Sequence, residues 1–405
     1  MKRQKLLFLS TCFPYPANCG HYLRTYNTLL RLSKTFDVYF VSFSKYDISE
    51  VSLNHIRNIC KTVDVFKPIY DQNRFMLVLG LLFNLFNTLP FVVQKYNDVV
   101  AKKRILMILK ENDIKMIHVD ILPLAVYLPL FYSCKKVLVE HNVEYLRLKS
   151  WVNKEKNIFV KMYLSLQVQK VRNFEKQACG KFDLCIVVSE NDKRNISSMN
   201  PRARILIIPN GVDVDYFKND NTITQEPNSI IWVGGTGEFY NRNSLINFLK
   251  AAFPLIVRKV PNLIFYIIGT VNSRELLGLV EKYSKNIKIL GEVEDIRPWV
   301  CRAMAYVAPI CSGGGTKIKV LNAMALSKVV VTTTCGAEGI DVLNGKELFI
   351  ADSPNDFAER TIFLLKEKEI RNEMGRLGRE LIVQKYSWEK ILADYDDIYL
   401  KLLDS

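Results

Sequence analysis

The stretch Ser312-Gly313-Gly314-Gly315-Thr316-Lys317-Ile318-Lys319 is well suited to holding an anion. Three glycines open the backbone ahead of a helix-like run that continues to Ala325, and Lys317 and Lys319 place two cations in its first turn. A helix macrodipole disfavours cations there, so the placement makes sense if a diphosphate arrives and is held by loop N–H groups and the two ammonium groups. A P-loop is excluded, because the Gly-x-x-x-x-Gly-Lys-Ser/Thr spacing is absent.

A second candidate is Glu140-His141-Asn142-Val143-Glu144, behind an apolar run at 136–140. His141 is one of four histidines, with His21, His55 and His118, and the flanking carboxylates can orient or charge its ring. A third is the turn from Phe13 to Tyr22, where Gly20 lets a ligand approach the backbone and the following helix offers unpaired N–H groups. On the residues alone, His141 also reads as a satisfied structural histidine, and the Gly20 turn as a plain strand-to-helix connection.

The elements that must position these groups are legible as alternation. Apolar runs at 5–10, 37–43, 62–66, 114–119, 136–140 and 183–189 alternate with helix-length segments such as 22–34, 96–110 and 154–179. This pattern predicts a parallel sheet covered on both faces, a doubly wound α/β domain. The polar stretch 218–229 reads as a linker. The alternation then resumes with runs at 230–234, 263–269, 287–290, 305–309, 328–333 and 347–351. The expected division is 1–218, linker 219–229, 230–385, and a terminal segment 386–405. All three candidate stretches follow a strand, where open parallel sheets bind ligands.

Composition narrows the class. At 405 residues the chain exceeds one ordinary domain, and 49% hydrophobic with 24% charged residues is ordinary for a globular protein. The net charge of +15 is uneven: residues 1–220 hold 33 Lys+Arg against 19 Asp+Glu, and the remainder 23 against 22. One domain is therefore expected to meet an anionic partner, and the lack of a nucleic-acid-binding motif argues against nucleic acid. The basic segment 149–176 interleaves Lys149, Lys154, Lys156, Lys161, Lys170, Arg172 and Lys176 with Trp151, Ile158, Phe159, Met162, Tyr163 and Leu164, as a helix lying on an anionic membrane does. The interrupted apolar run 76–94 is too broken to span a bilayer and reads as buried or interface-lying. The first apolar run meets Pro14 and Pro16 without a cleavage site and reads as a strand rather than an export signal. Nine scattered cysteines, Cys12 and Cys19 among them, form no Cys-x-x-Cys pair, so their spacing indicates neither a zinc site nor a disulfide framework, and the expected compartment is the cytoplasm.

The loop through Lys319 resembles the glycosyltransferase family 4 pattern Gly-x-Gly-Thr-Arg-x-Lys-x-Leu-Glu-Ala-Met-Ala, in its glycine-rich Gly-Gly-Thr-Lys-x-Lys variant, and Cys335-Gly336-Ala337-Glu338-Gly339-Ile340 resembles the segment that follows it. Gly20-His21, His141-Asn142-Val143-Glu144, Phe182-Asp183, Val188-Ser189-Glu190, Pro209-Asn210-Gly211-Val212-Asp213, Val233-Gly234 and Tyr386-Ser387-Trp388 match in the same order. The resemblance implies a GT-B fold: two doubly wound Rossmann-like domains facing across a cleft, with a C-terminal helix crossing back to the first. It implies retaining transfer from a nucleotide-diphosphate sugar as co-substrate, with no cofactor and no metal. His141, Lys317 and Lys319 would be catalytic. Gly20, His21, Gly235, Arg242, Asn243, Gly314, Gly315, Thr316, Asn322 and Glu338 would bind the donor, and Tyr15, Arg24 and Glu144 would lie on the acceptor side. The expected acceptor is a glycan or a lipid-linked glycan in cell-surface polysaccharide or glycolipid synthesis, reached by peripheral attachment to the inner membrane face. Two departures, Asn322 for the usual glutamate and Lys317 for the usual arginine, leave room for a non-catalytic glycan-binding or scaffolding relative. A GT-B epimerase acting on the nucleotide sugar itself is a further alternative.

Overall fold

The computed structural model describes residues 3–17, 20–71, 73–153 and 155–404; Cys19 in the first loop and Lys154 in the basic segment lie outside them. The chain divides into two units, Met1–Ile208 with Leu392–Ser405, and Pro209–Ile391. Unit 1 carries seven parallel strands: β1 (Lys5–Ser10), β2 (Asp37–Phe43), β3 (Thr62–Phe66), β4 (Met116–Asp120), β5 (Lys135–Glu140), β6 (Leu184–Val187) and β7 (Ile205–Ile207). Their order is β3-β2-β1-β4-β5-β6-β7. Unit 2 carries β8 (Ser229–Val233), β9 (Ile264–Ile268), β10 (Ile287–Gly291), β11 (Ala305–Ala308), β12 (Val330–Thr332) and β13 (Phe349–Ile350), in the order β10-β9-β8-β11-β12-β13. Apart from the extra edge strand β7, the two sheets are wound alike. In each the strand order reverses beside the first strand, between β1 and β4 and between β8 and β11, and the diverging loops leave a crevice there for a ligand.

The continuous Val, Ile, Leu and Phe runs form the central strands, because a parallel sheet covered by helices is buried on both faces. Leu6, Leu7 and Phe8 on β1 and Ile230, Ile231 and Trp232 on β8 have no exposed surface. The strand β7 is absent from the sequence expectation, since three residues against a proline carry too little periodicity to separate from a loop.

Two boundaries differ from expectation. Residues 209–218 belong to unit 2 rather than to the first domain, because the Val212 N–H donates to the Tyr386 carbonyl at 2.8 Å and the Trp388 N–H returns to Val212 at 3.1 Å. A Cβ at Gly211 would lie 2.7 Å from the Trp388 ring, so the indole seats on a residue that has no side chain. Two segments some 170 residues apart, each singled out by resemblance, are thus packing partners. Tyr386 and Trp388 accordingly stay with unit 2, and the chain joins unit 1 only from Leu392.

The segment around 76–94 is largely exposed, with Gly80, Asn84, Pro90 and Val93 its buried residues. The helix Arg74–Asn84 leaves Phe75 and Phe83 exposed, and Phe86 beyond it is 92% exposed. In the helix Ile158–Cys179 the fully buried residues begin at Gln167, so the first two turns keep Ile158, Phe159 and Met162 in the open. Among the described residues no helix is long and apolar enough to cross a membrane.

The helix Tyr395–Asp404 packs on the helix Gly20–Thr35: Arg31 pairs with Asp396 at 2.8 Å and donates to the Ala393 carbonyl. Tyr395 and Tyr399 are fully buried, and the Tyr399 hydroxyl lies 2.6 Å from Nδ1 of His118 on β4. Removing that hydroxyl leaves a buried imidazole nitrogen without a partner. Tyr399→Phe is therefore expected to destabilise the protein by about 1–3 kcal/mol. Chemical denaturation checks this, and an unchanged midpoint would mean that the contact contributes nothing net.

Candidate active site

In unit 1 the site is built on Asp120, the last residue of β4. The parallel register sets Ser10 of β1 beside Asp120 and Asp120 beside Val139 of β5, so the strand ends bring Ser10, Asp120 and, two residues on, His141 into one place. Asp120 is 1% exposed. Its Oδ2 accepts from the Thr25 hydroxyl at 2.5 Å and from the Ser10 hydroxyl at 3.3 Å. Its Oδ1 lies 2.8 Å from His141 Nε2 and 3.8 Å from His118 Nε2, and Oδ2 lies 3.8 Å from His21 Nε2. The His21 and His141 rings meet edge to face at 4.7 Å.

These neighbours set the charges. Burial favours a neutral Asp120, but His141, His118 and His21 outweigh it and hold the carboxyl well below the usual carboxylate range. Burial likewise opposes charge on His21, yet its contacts with Asp120 and with the Cys12 thiol carry its imidazole well above the ordinary value. His141 goes the other way: burial lowers it to about 4 against the pull of Asp120. The shifts across the cluster thus favour charge on Asp120 and His21 and the neutral form of His141.

The sequence reading gave the orientation of His141 to its acidic neighbours, and the structure assigns it elsewhere. Both Glu140 carboxyl oxygens are buried without a hydrogen-bond partner, and burial together with Glu175 pushes this carboxyl well up, toward its neutral form. Glu144 is 4% exposed and paired with Arg147 at 2.8 Å. The orienting acid is Asp120, whose signal in the sequence was an acidic residue ending an apolar strand. Arg24 is no acceptor-side residue either: it is 1% exposed, and its guanidinium donates to the Ile208 carbonyl at 2.9 Å, fastening β7 to the first helix. Tyr15 stacks on His55 at 3.9 Å, and His55 Nε2 meets the Tyr26 hydroxyl at 2.8 Å. Gly20 opens the first helix beside His21.

In unit 2 the glycine loop follows β11 and enters the helix Ile318–Ala325, whose first turn has no side-chain cap and no acid. Gly313 and Gly315 have φ of 116° and 71°, which side-chain-bearing residues rarely adopt. Lys317 turns back into this loop, donating to the Gly313, Gly314 and Gly315 carbonyls at 3.0, 3.0 and 2.6 Å, with Glu338 at 3.4 Å. Lys317 and Glu338 thus hold the loop in shape. The neighbouring Thr316 is 4% exposed, and its carbonyl accepts from Asn210 at 3.1 Å.

Lys319 has a different setting. Its ammonium donates to Asn241 Oδ1 at 2.6 Å and sits 5.1 Å from the centre of the buried Trp232 ring. A Cβ on Gly234 would come within 2.8 Å of Nζ, so the glycine after β8 makes the space that the ammonium occupies. Burial, reinforced by the charge of Lys317, lowers this amine to about 8. Asn241 and Trp232 carry no motif in the sequence; the β8–β11 neighbourhood sets both against the Lys319 ammonium. Asn322 stands one turn beyond Lys319 on the same helix face, and its side-chain oxygen is buried with no hydrogen-bond partner. Gly235 is exposed and accepts from Asn241, and Arg242 and Asn243 are half-buried on the helix Phe239–Ala251, Arg242 over the Phe239 ring.

Residues 62–216 match the family described as Glycosyltransferase Family 4, and residues 227–367 match Glycosyl transferases group 1. The chain is 24% identical over 397 residues to an uncharacterized 44.6 kDa protein in the cps region of Klebsiella pneumoniae, covering 96% of this chain and 98% of that one. Its fold is similar to sucrose-phosphate synthase from Thermosynechococcus elongatus, with a TM-score of 0.73 at 15% identity, covering 99% of this chain and 100% of the other. It is also similar to Anabaena HepE in complex with UDP and glucose, with a TM-score of 0.70 at 12% identity over 98% and 100% of the chains.

An anion beside Lys319 restores its ammonium. Above pH 8 the free site is increasingly deprotonated, so binding a nucleoside diphosphate is expected to take up about half a proton per site near pH 8 and to approach one as pH rises, while affinity falls. Calorimetry near that pH in buffers of different ionisation enthalpy reads the uptake. Uptake that persists in Lys319→Met would assign it to another group.

Proposed function

We propose that this chain, a GT-B glycosyltransferase of the family 4 type, moves a sugar from a nucleotide-diphosphate donor to a glycan or lipid-linked acceptor in cell-surface polysaccharide or glycolipid synthesis, without a metal and with retention at the anomeric carbon. The observation that carries the donor side is the pairing of Lys319 with Asn322 on one helix face at the β8–β11 switch point. Lys319 offers a positive charge to a diphosphate, and the unpartnered Asn322 oxygen, one turn on, offers an acceptor to a ribose hydroxyl. In the transfer, the bond from the sugar C1 to the diphosphate oxygen breaks, and the electron pair leaves with the diphosphate. An acceptor hydroxyl oxygen bonds to C1 on the same face, and its proton passes to the departing diphosphate. Lys319 acts on the charge that develops on the leaving group, where a fixed cation in a water-poor site is most effective. In unit 1, His21 and His141, both held by Asp120, supply a charged donor and a neutral imidazole for sugar and acceptor hydroxyls. A relative in a cps region, matched over 98% of its length, supports the polysaccharide setting.

Attachment to an anionic membrane is supported by the open apolar ends of two neighbouring helices. Gln167 Nε2 donates to Asn84 Oδ1 at 2.7 Å and Lys170 to the Asn84 carbonyl at 2.5 Å, which ties the end of Arg74–Asn84 to the middle of Ile158–Cys179. Phe83 and Phe86 are exposed beside this junction, and Phe159 and Met162 are exposed in the first two turns of the second helix, which also carries Lys161 and follows Lys156. Apolar side chains enter the headgroup region while each nearby lysine contributes about 1 kcal/mol at an anionic surface.

Two measurements test these readings. Release of nucleoside diphosphate is expected only when acceptor is present, with kcat/KM lower by about 100-fold or more in Lys319→Ala at an unchanged denaturation midpoint. Equal release without acceptor overturns transfer, and kinetics within about twofold of the parent remove the role of Lys319. In liposome flotation the protein is expected to rise with anionic vesicles, less so at high salt, and less after Lys156→Glu with Lys161→Glu or after Phe83→Ser with Phe159→Ser. A protein that stays down with anionic vesicles at low salt has no membrane surface of this kind.

A further inference from the structure

Cysteine spacing points to no zinc site, but the fold brings together two imidazoles and a carboxylate from the start of the first helix, the end of β4 and the loop after β5. His21, Asp120 and His141 each offer one ligand atom, and these atoms all lie within 4.8 Å of one another. The carboxylate oxygens stand 2.8 Å from His141 Nε2 and 3.8 Å from His21 Nε2. Zinc ligands at about 2.0–2.2 Å in tetrahedral array stand about 3.3–3.6 Å apart, so shifts of a few tenths of an ångström to about 1 Å close this triangle on one ion. The Cys12 thiol is 3.8 Å from the same His21 nitrogen. Hydroxyls of Thr25 and Ser10 already hold Oδ2 of the carboxylate, the outer support that metal-bound carboxylates require, and leave Oδ1 toward His141. The carboxylate side of the triangle is closed, with Asp120 and His118 fully buried, while the His21 side chain is 30% exposed, which leaves an approach and an open coordination position on that side.

We propose that His21, Asp120 and His141 form an inhibitory binding site for a borderline divalent transition ion, with zinc as the best fit. Two imidazoles and one carboxylate with a thiol at hand suit zinc, whereas magnesium and manganese take oxygen donors. The ion takes the place of the His21 proton that faces Asp120 and draws both imidazoles onto itself. No step of transfer uses it. That occupancy inhibits rests on the transferase reading above, because it removes His21 and His141 from the sugar and acceptor hydroxyls; that the ion binds does not.

The test separates the two. Chelator-stripped full-length protein is titrated with cobalt(II), whose visible bands intensify when it leaves six-coordinate water for a four- or five-coordinate nitrogen–oxygen site. The expected result is one such cobalt per chain, displaced by zinc, unmoved by magnesium, with affinity lower by about 10-fold or more in His21→Ala and in His141→Ala and unchanged in His55→Ala. His21 is partly exposed, so its variant decides the matter even where Asp120→Asn fails to fold. A spectrum that remains that of aqueous cobalt, or one that His21→Ala leaves intact, overturns the site. Zinc inhibition is then read separately as loss of diphosphate release at the same concentrations. Binding without inhibition returns against the transferase role of the two histidines and against the inhibitory half of the proposal, while leaving the ion site standing.

Discussion

A carboxylate with almost no contact with solvent lies at the end of β4, and much of unit 1 is arranged so that it can stay charged. Burying an ion costs several kcal/mol unless its oxygens are matched, and an unmatched carboxyl protonates instead. Glu140, on the neighbouring strand, tends to that outcome: its oxygens have no partner and burial pushes its carboxyl toward the neutral form. Asp120 escapes it because two hydroxyls and three imidazoles converge on it. Those groups come from β1, from the first helix, from β4 itself and from the loop after β5. The condition therefore ties together the sheet register, the entry angle of the helix at Gly20 and the placement of both candidate catalytic histidines. A slip of β4 by one residue would turn Asp120 to the opposite face and leave His21 and His141 unanchored.

The terminal helix enters the same network. Tyr399 meets Nδ1 of His118, which stacks on Phe8 at 4.0 Å and faces Asp120 with its other nitrogen. The last residues of the chain thus close the core beneath the site. Their position is set by a buried hydrogen bond and by the Arg31–Asp396 pair as much as by apolar contact.

Unit 2 uses the same winding for the opposite electrostatics. Here the crevice holds a cation, pressed into an apolar corner against Trp232 and permitted by the missing side chain of Gly234. Its amine is lowered toward neutrality, a cost that an anionic ligand removes, so Lys319 is more strongly poised for a diphosphate than a solvated lysine would be. Lys317, two residues earlier, is saturated by the carbonyls of its own loop. The two lysines that read alike in the sequence divide the work, one shaping the loop and the other facing the crevice.

Both sheets, their winding and the loops that carry function were legible in the sequence, because buried parallel strands must be continuous apolar runs and a glycine-rich helix entrance with lysines in its first turn is shaped for an anion. The runs at 5–10, 37–43 and 62–66 coincide with β1, β2 and β3 to the residue. His21, His141 and Lys319 were legible because they stand on those loops. Asn241 and Trp232 were not, since each meets Lys319 from more than 70 residues away in the chain; Asp120 carried only the weak mark of an acid ending an apolar strand, and its contacts with Ser10, His21 and Thr25 cross from other elements. Arg24 and Glu144 looked available and are buried, because side-chain exposure depends on what packs from outside the segment. Residues 209–218 went to the wrong unit for the same reason: their partners, Tyr386 and Trp388, lie at the far end of the chain. Periodicity and local motifs report the environment averaged along an element, and so they determine elements and winding; which side chains meet, and with what charge, is decided by contacts between elements, which only the tertiary structure contains.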